Sequence, residues 1–266
     1  MCTERTPRVA AARALTRRAG REKAGRFLAE GAQAVREALA FGRVHEVFAT
    51  ADALVRHPDL VVAAHDAGAR VSEVTDKAAA GLSETVTPQG VIAVCDLLDK
   101  PLETALAGTP ALVAVLVGIA DPGNAGTVTR VADAAGADAV VFAGDTVDPH
   151  NGKCVRASTG SVFHLPIART RDVTAALAAC RAAGLRLVAA HGYADADIHS
   201  AGSSGHDLTG PTAWVFGNEA HGLDRATLDA CDDALRIPLY GAAESLNLAT
   251  AAALCLYETA RAHSMR

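Results

Sequence analysis

Residues 111–119 read Ala-Leu-Val-Ala-Val-Leu-Val-Gly-Ile, an apolar run without a single charge or hydrogen-bonding side chain. A strand that is apolar on both faces must be covered on both. The interior of a parallel sheet between helices meets that demand. The following residues keep to the pattern. Asn124–Ala135 carries Val128, Val131, Ala132 and Ala135 at i, i+3, i+4 and i+7, the spacing of one helix face. Ala139–Phe142 is a second apolar strand, Asp172–Ala183 a helix stopped by Gly184, and Leu185–Ala190 the strand after it. Trp214–Phe216 and Ala234–Ile237 complete the sheet, and Asn247–Tyr257 is a terminal helix apolar on nearly every side. Such a helix must be buried, and a second subunit is one candidate for its cover.

A smaller block precedes this one. Arg26–Glu30 reads as a strand, Ala32–Phe41 as a helix ended by Gly42, Val44–Thr50 as a strand, Val61–Ala64 as a helical or buried stretch, and Arg70–Val74 as a strand. Thr87-Pro88-Gln89-Gly90 turns into the strand Val91–Cys95. The alternation predicts a small α/β sandwich. The seam falls in a Pro- and Gly-bearing stretch near Asp96–Gly108. The expected organisation is a basic arm (1–20), a first α/β domain (21–97), a linker (98–109) with one helical turn, and a parallel-sheet domain (110–266).

Charge is unevenly spread. Residues 1–43 hold ten Arg or Lys against four Glu, a local +6 that leaves −11 on the rest of a chain of net −5. A basic segment on an acidic body is the footprint of phosphate contact, and equally that of a solvated tail. The six cysteines, Cys2, Cys95, Cys154, Cys180, Cys231 and Cys255, form no C-x-x-C pair and sit mostly in apolar surroundings. They read as small buried hydrophobes. The ten histidines lack ligand spacing, His191, His199 and His206 reading as loop residues, so no metal is expected. No apolar run approaches the roughly 18 residues of a membrane span. The Arg-rich N-terminus has no apolar h-region, and a cytoplasmic location is expected.

Three turns in the second block pack Gly, Asn and a charged residue behind strand-like runs. They are Asp121-Pro122-Gly123-Asn124-Ala125-Gly126-Thr127-Val128-Thr129-Arg130, Phe216-Gly217-Asn218-Glu219-Ala220-His221-Gly222-Leu223, and Ile237-Pro238-Leu239-Tyr240-Gly241-Ala242-Ala243-Glu244-Ser245-Leu246-Asn247-Leu248-Ala249. In this order they resemble the signature motifs of SpoU/TrmH-type RNA ribose 2′-O-methyltransferases, members of the SPOUT superfamily. Phe27–Gly31 together with Thr87–Val91 resembles the L30e-like substrate-binding domain often fused in front. The wording is most similar to bacterial ribosomal-RNA members, including thiostrepton-resistance enzymes. The resemblance implies a C-terminal parallel sheet threaded into a deep trefoil knot, a homodimer, RNA as substrate and S-adenosylmethionine as cofactor.

It also implies roles for individual residues. Arg130 would contact the RNA and assist loss of the 2′-hydroxyl proton. A free guanidinium is too weak an acid to act as an ordinary base, so phosphate anchoring and alkoxide stabilisation are the safer roles. Asn124, otherwise a good helix N-cap, would order the active-site loop. Glu219 would be the acidic group near that arginine, and Ser245 and Asn247 polar groups of the active site. Gly217, Ile237, Leu239, Leu246 and Asn247 would hold the cofactor, its adenine between backbone groups and apolar side chains. Gly241 would permit the knot turn. Arg17, Arg18, Arg21 and Arg26 of the basic segment, with Arg156 in Val155–Ser161, are the candidates for RNA phosphate. Competing readings are the same chemistry on transfer RNA, a non-catalytic RNA-binding or ribosome-assembly protein, and a nicotinamide-dependent enzyme. The last is disfavoured because 121–126 is not G-x-G-x-x-G.

Overall fold

A computed structural model describes residues 1–199 and 207–265; the Gly/Ser-rich stretch 200–205, His206 and Arg266 lie outside the described residues. The chain begins with helices α1 (Pro7–Ala14) and α2 (Arg18–Ala24), then β1 (Arg26–Glu30), α3 (Ala32–Phe41) and β2 (Val44–Ala49). Next come α4 (Ala51–Arg56), α5 (Pro58–Asp66), β3 (Arg70–Glu73), α6 (Asp76–Ala80) and β4 (Val91–Asp96). The middle holds β5 (Asp99–Lys100), α7 (Leu102–Ala105), β6 (Leu112–Val117), α8 (Pro122–Ala134), β7 (Ala139–Ala143) and α9 (Gly152–Ser158). There follow a 3-10 turn (Ser161–Phe163), β8 (Ile167–Thr170), α10 (Val173–Ala182), β9 (Arg186–Ala190) and β10 (Ala196–Asp197). The last elements are β11 (Thr212–Phe216), α11 (Arg225–Asp229), β12 (Asp233–Arg236) and α12 (Leu248–Ser264).

Two compact units result. The first comprises Met1–Leu98 and Asp148–His164, the second Asp99–Val147 and Leu165–Arg266. In the first unit four strands run in the order β1-β4-β2-β3, with β4 antiparallel to both β1 and β2 and β3 parallel to β2. The N-terminal segment is not a solvated tail. Val9, Ala12 and Leu15 sit on the face of α1 that packs on Leu28, Phe48, Ile92 and Val94 of the sheet. The charges of α1 are left outside because Val9 and Ala12 are one helical turn apart.

Arg21 departs from the expectation of a phosphate contact. It is 3% exposed. Its guanidinium donates to Asp148 Oδ2 at 2.8 Å and to the carbonyls of Leu15 and Thr16. Asp148 in turn caps the backbone N–H of His150, whose Nε2 accepts the N–H of Leu98 at 3.0 Å. That acceptor role places the ring proton on Nδ1, which faces Asp148 Oδ1 at 3.3 Å. Burial opposes the charge on Asp148, yet His150 and Arg21 together hold its carboxyl well below the usual carboxylate range. The network ties 148–164, assigned from sequence to the second block, into the first unit's core.

In the second unit eight strands are ordered β10-β12-β9-β11-β6-β7-β8-β5, and every pairing is parallel. The apolar run at 111–119 is a central strand with neighbours on both sides, as its composition requires. The stretch taken for a linker supplies its own edge strand, Asp99–Lys100, and Arg169 on β8 clasps Asp99 through two nitrogens at 2.7 and 2.8 Å. Helices α8 and α12 pack against each other on one face. Trp214, fully buried on β11, donates its indole N–H to Thr259 on α12 at 2.8 Å, so its polar atom is not stranded in the core. α12 runs further than expected and is not buried all round. Ala252, Cys255, Leu256 and Thr259 face the core, while Leu254 and Tyr257 remain 42% and 50% exposed.

Candidate active site

Parallel α/β sheets place their ligand-binding loops beyond the carboxyl ends of the strands. Two of the three motif turns leave β6 and β11, which are hydrogen-bonded neighbours; the third follows β12 and ends at the start of α12. The first turn caps α8. Asp121, not Asn124, is the N-cap residue, its Oδ1 accepting the N–H of Asn124 at 2.8 Å. Asn124 lies inside the first helical turn, and its side chain is free for other work.

That work is to join the three motifs. Glu219 Oε2 accepts the backbone N–H of Ala120 at 3.0 Å. Its Oε1 accepts the N–H of Asp121 at 3.1 Å and the side-chain amide of Asn124 at 3.0 Å. The side-chain oxygen of Asn124, Oδ1, accepts from Asn247 Nδ2 at 3.0 Å. Asn247 Oδ1 caps α12 through the N–H groups of Ala249 and Thr250. One polar chain therefore runs Glu219 to Asn124 to Asn247, with one residue from each motif. Glu219 is exposed, and partial burial opposes its charge. The N–H of Ala120 and the amide of Asn124 nevertheless draw its carboxyl below the usual glutamate range. A carboxylate so stabilised, with its oxygens taken by donors, is a clamp rather than a proton acceptor.

The second turn carries a residue that sequence reasoning quoted but did not single out. Asn218 Nδ2 donates to the carbonyl of Gly118 at 2.7 Å, and its Oδ1 accepts from Ala220 and His221. Its backbone pairs twice with Gly222. A lone Asn between Gly and Glu is a common loop residue, so only the tertiary contacts reveal this bracing. Gly217 has a local structural reason beside the cofactor role expected of it. A Cβ there would fall 2.4 Å from the carbonyl carbon of Gly222, so its missing side chain admits the loop's own backbone. Gly241, expected to ease a knot turn, has ordinary φ and open space where a Cβ would stand.

Other candidates lie outside the polar chain. Arg130 is exposed on α8, nearly two helical turns beyond Asn124. Ser245 is exposed and makes no hydrogen bond among the described residues, in contrast to Asn247. From Ile237 to Leu246 the backbone is irregular and makes no hydrogen bond among the described residues. Ile237 and Leu246 are half-buried there and Leu239 is exposed. Of the RNA candidates, Arg17 is exposed at the start of α2, Arg18 pairs with Glu22 at 2.8 Å, and Arg26 stands 3.8 Å from Asp96. Arg156 is held by the buried carboxylate of Glu30 at 3.0 Å.

Residues 111–257, the span of all three motifs, match the model of the SpoU rRNA methylase family. The chain belongs to the SpoU rRNA methylase family. Residues 6–93 match the MRM3-like substrate binding domain. Among relatives of this SpoU chain is the 23S rRNA (guanosine(2553)-2′-O)-methyltransferase RlmP of Bacillus subtilis (strain 168), 37% identical over 238 residues, covering 89% of each chain. The AdoMet-bound rRNA methyltransferase from Sinorhizobium meliloti superposes with a TM-score of 0.84 at 32% identity, covering 96% of this chain and 95% of that one. AviRb, a SpoU methyltransferase from Streptomyces viridochromogenes solved with AdoMet, has a TM-score of 0.84 at 29% identity, covering 98% and 100%.

Proposed function

We propose that this protein transfers the methyl group of S-adenosylmethionine to a ribose 2′-hydroxyl of ribosomal RNA, 23S RNA being the first substrate to test. The observation that carries the reading is the polar chain through Glu219, Asn124 and Asn247, because it draws all three family motifs into one site. The residues fit the cofactor. An adenine needs backbone donors and acceptors beside apolar surface. The uncommitted backbone of 237–246, flanked by Ile237, Leu239 and Leu246, offers both. Gly217 and Asn247 would border the same site.

S-adenosylmethionine supplies an electrophilic methyl on a sulfonium, so no metal or covalent intermediate is required of the protein. What the protein must add is alignment and charge stabilisation. Glu219, held ionised, fixes the turn at 120–124 and dictates which way the Asn124 amide points. Asn247 locks the other end of that amide to the start of α12. Arg130 projects from the helix so fixed; its guanidinium anchors an RNA phosphate and stabilises the 2′-oxygen as it loses its proton. Ser245 contributes a further polar group to the substrate or cofactor.

A homodimer belongs to the same proposal. Leu254 and Tyr257 on α12, with Leu239 and Tyr240 in the third motif, leave apolar surface open on the second unit. Threading of the third motif as a trefoil knot and a cytoplasmic location beside the ribosome complete the reading; among the described residues no helix is long and apolar enough to cross a membrane. Incubation with S-adenosylmethionine and unmodified 23S RNA should produce one 2′-O-methylated nucleotide by mass spectrometry, and transfer RNA should remain unmodified. Calorimetry showing binding of NAD but of neither S-adenosylmethionine nor S-adenosylhomocysteine would overturn the assignment.

A further inference from the structure

Strands β6 and β11 run side by side in register as far as Leu116 and Phe216. Beyond those ends, side chains of the second motif turn reach across to the first. Gly118, with a φ of +64°, bends the chain out of β6 in a left-handed conformation that glycine adopts without strain. Its N–H donates to the carbonyl of Ala143 at 3.0 Å, and its own carbonyl accepts from Asn218 Nδ2 at 2.7 Å. Glu219, the next residue along, takes the N–H groups of Ala120 and Asp121. Two consecutive residues thus grip the segment 118–121 with opposite polarity, one donating to a carbonyl and one accepting from N–H groups.

The direction of the Asn218 amide is dictated at both ends. The Gly118 carbonyl can only accept, so the amide nitrogen must point to it. The amide oxygen then meets the N–H groups of Ala220 at 2.9 Å and His221 at 3.2 Å. One half of the side chain braces its own turn, and the other half holds a turn a hundred residues earlier. Asn218 and Gly118 are both half-buried, so removing the donor leaves the carbonyl short of a partner. Asp121, at the end of the gripped segment, caps α8, the helix that carries Asn124 and Arg130. We infer that Asn218 is a positioning residue for methyl transfer, its amide donor fixing the first motif turn and the start of α8 against the second motif. It acts through Gly118 and beside Glu219, not on the reacting atoms. The inference rests on the methyltransferase reading and adds an uncharged residue to the clamp that Glu219 forms.

Asn218→Asp separates the two halves of the amide. The carboxylate keeps the shape and still accepts from Ala220 and His221, but it has no proton for Gly118 and sets oxygen against oxygen. Single-turnover transfer to saturating 23S RNA should slow by roughly tenfold, the cost of one such bond. KM for RNA and affinity for S-adenosylhomocysteine should stay within about twofold of wild type. Hydrogen exchange reads the turn without any need for activity. It should quicken in peptides covering 118–124 and stay unchanged in those covering 218–223. Asn218→Ala removes all three side-chain bonds and should quicken exchange in both regions; if it fails to fold, the Asp variant decides alone. Transfer by the Asp variant within about twofold of wild type, or unchanged exchange at 118–124, would overturn the role of Asn218 and leave the enzyme assignment standing. Faster exchange throughout the second unit would make Asn218 a folding residue and overturn the role as well. Faster exchange confined to 118–124, with a wild type that methylates no RNA, would instead overturn the methyltransferase reading and keep the grip on the turn.

Discussion

Replacing Glu219 by Gln tests the clamp most directly, since it keeps the shape and removes the charge. Three donors converge on the carboxylate, two on Oε1 and one on Oε2. The best placement of the new amide keeps its oxygen toward Asp121 and Asn124 and turns its NH2 toward the N–H of Ala120. One hydrogen bond then becomes a donor facing a donor, and the other two lose their charge assistance. Bonds to charged groups are worth about 1.5–3 kcal/mol each, against about 1 kcal/mol for neutral ones. Glu219 is exposed, so solvent screening moves these figures toward their lower ends. The loss comes to about 2 kcal/mol in holding the turn and the Asn124 amide in place. If the reacting geometry depends on that turn, kcat should fall by roughly 30-fold, since about 1.4 kcal/mol is a factor of ten. Transfer of labelled methyl to 23S RNA under single-turnover conditions measures it. The melting temperature should shift little, because the clamp lies at the surface. A turnover within twofold of wild type would refute the argument that the clamp orders the site.

Arg130→Ala should cost about 3–4 kcal/mol of transition-state stabilisation and leave S-adenosylmethionine affinity intact, with Lys a poor substitute for the planar guanidinium; calorimetry beside turnover separates the two effects. Asp148→Asn should destabilise the first unit by about 3–5 kcal/mol, because it strands the buried Arg21, and denaturant unfolding followed on that unit reports the loss. The sign of the pH dependence follows from a carboxyl lowered below its ordinary value of 3.8. The stabilisation is complete above that value and disappears as pH falls through the lower folded one, so the variant should show a flatter acid limb than wild type. Leu254→Glu combined with Tyr257→Glu should shift sedimentation from dimer to monomer at micromolar concentration, whereas unchanged sedimentation would remove α12 from the interface.

Much of the fold was legible because burial writes itself into sequence. The run at 111–119 could only be a central strand, and the spacing Val128, Val131, Ala132 could only be a helix laid against it. The motif turns were legible for a related reason, since Gly and Asn beside one charge mark backbone doing something other than continuing an element. Tertiary structure decided what a linear charge count cannot. It buried Arg21 in the basic segment and folded Pro7–Ala14 and Arg18–Ala24 into helices. Periodicity shows which face of a helix is apolar but not which partner meets it, and α12 turned out half covered. The polar chain from Glu219 through Asn124 to Asn247 spans more than a hundred residues of sequence. Hydrogen bonds of that kind depend on orientation within a few tenths of an ångström. No spacing rule along the chain encodes them; the parallel order of β6, β11, β9 and β12 does, by bringing distant strand ends to one edge.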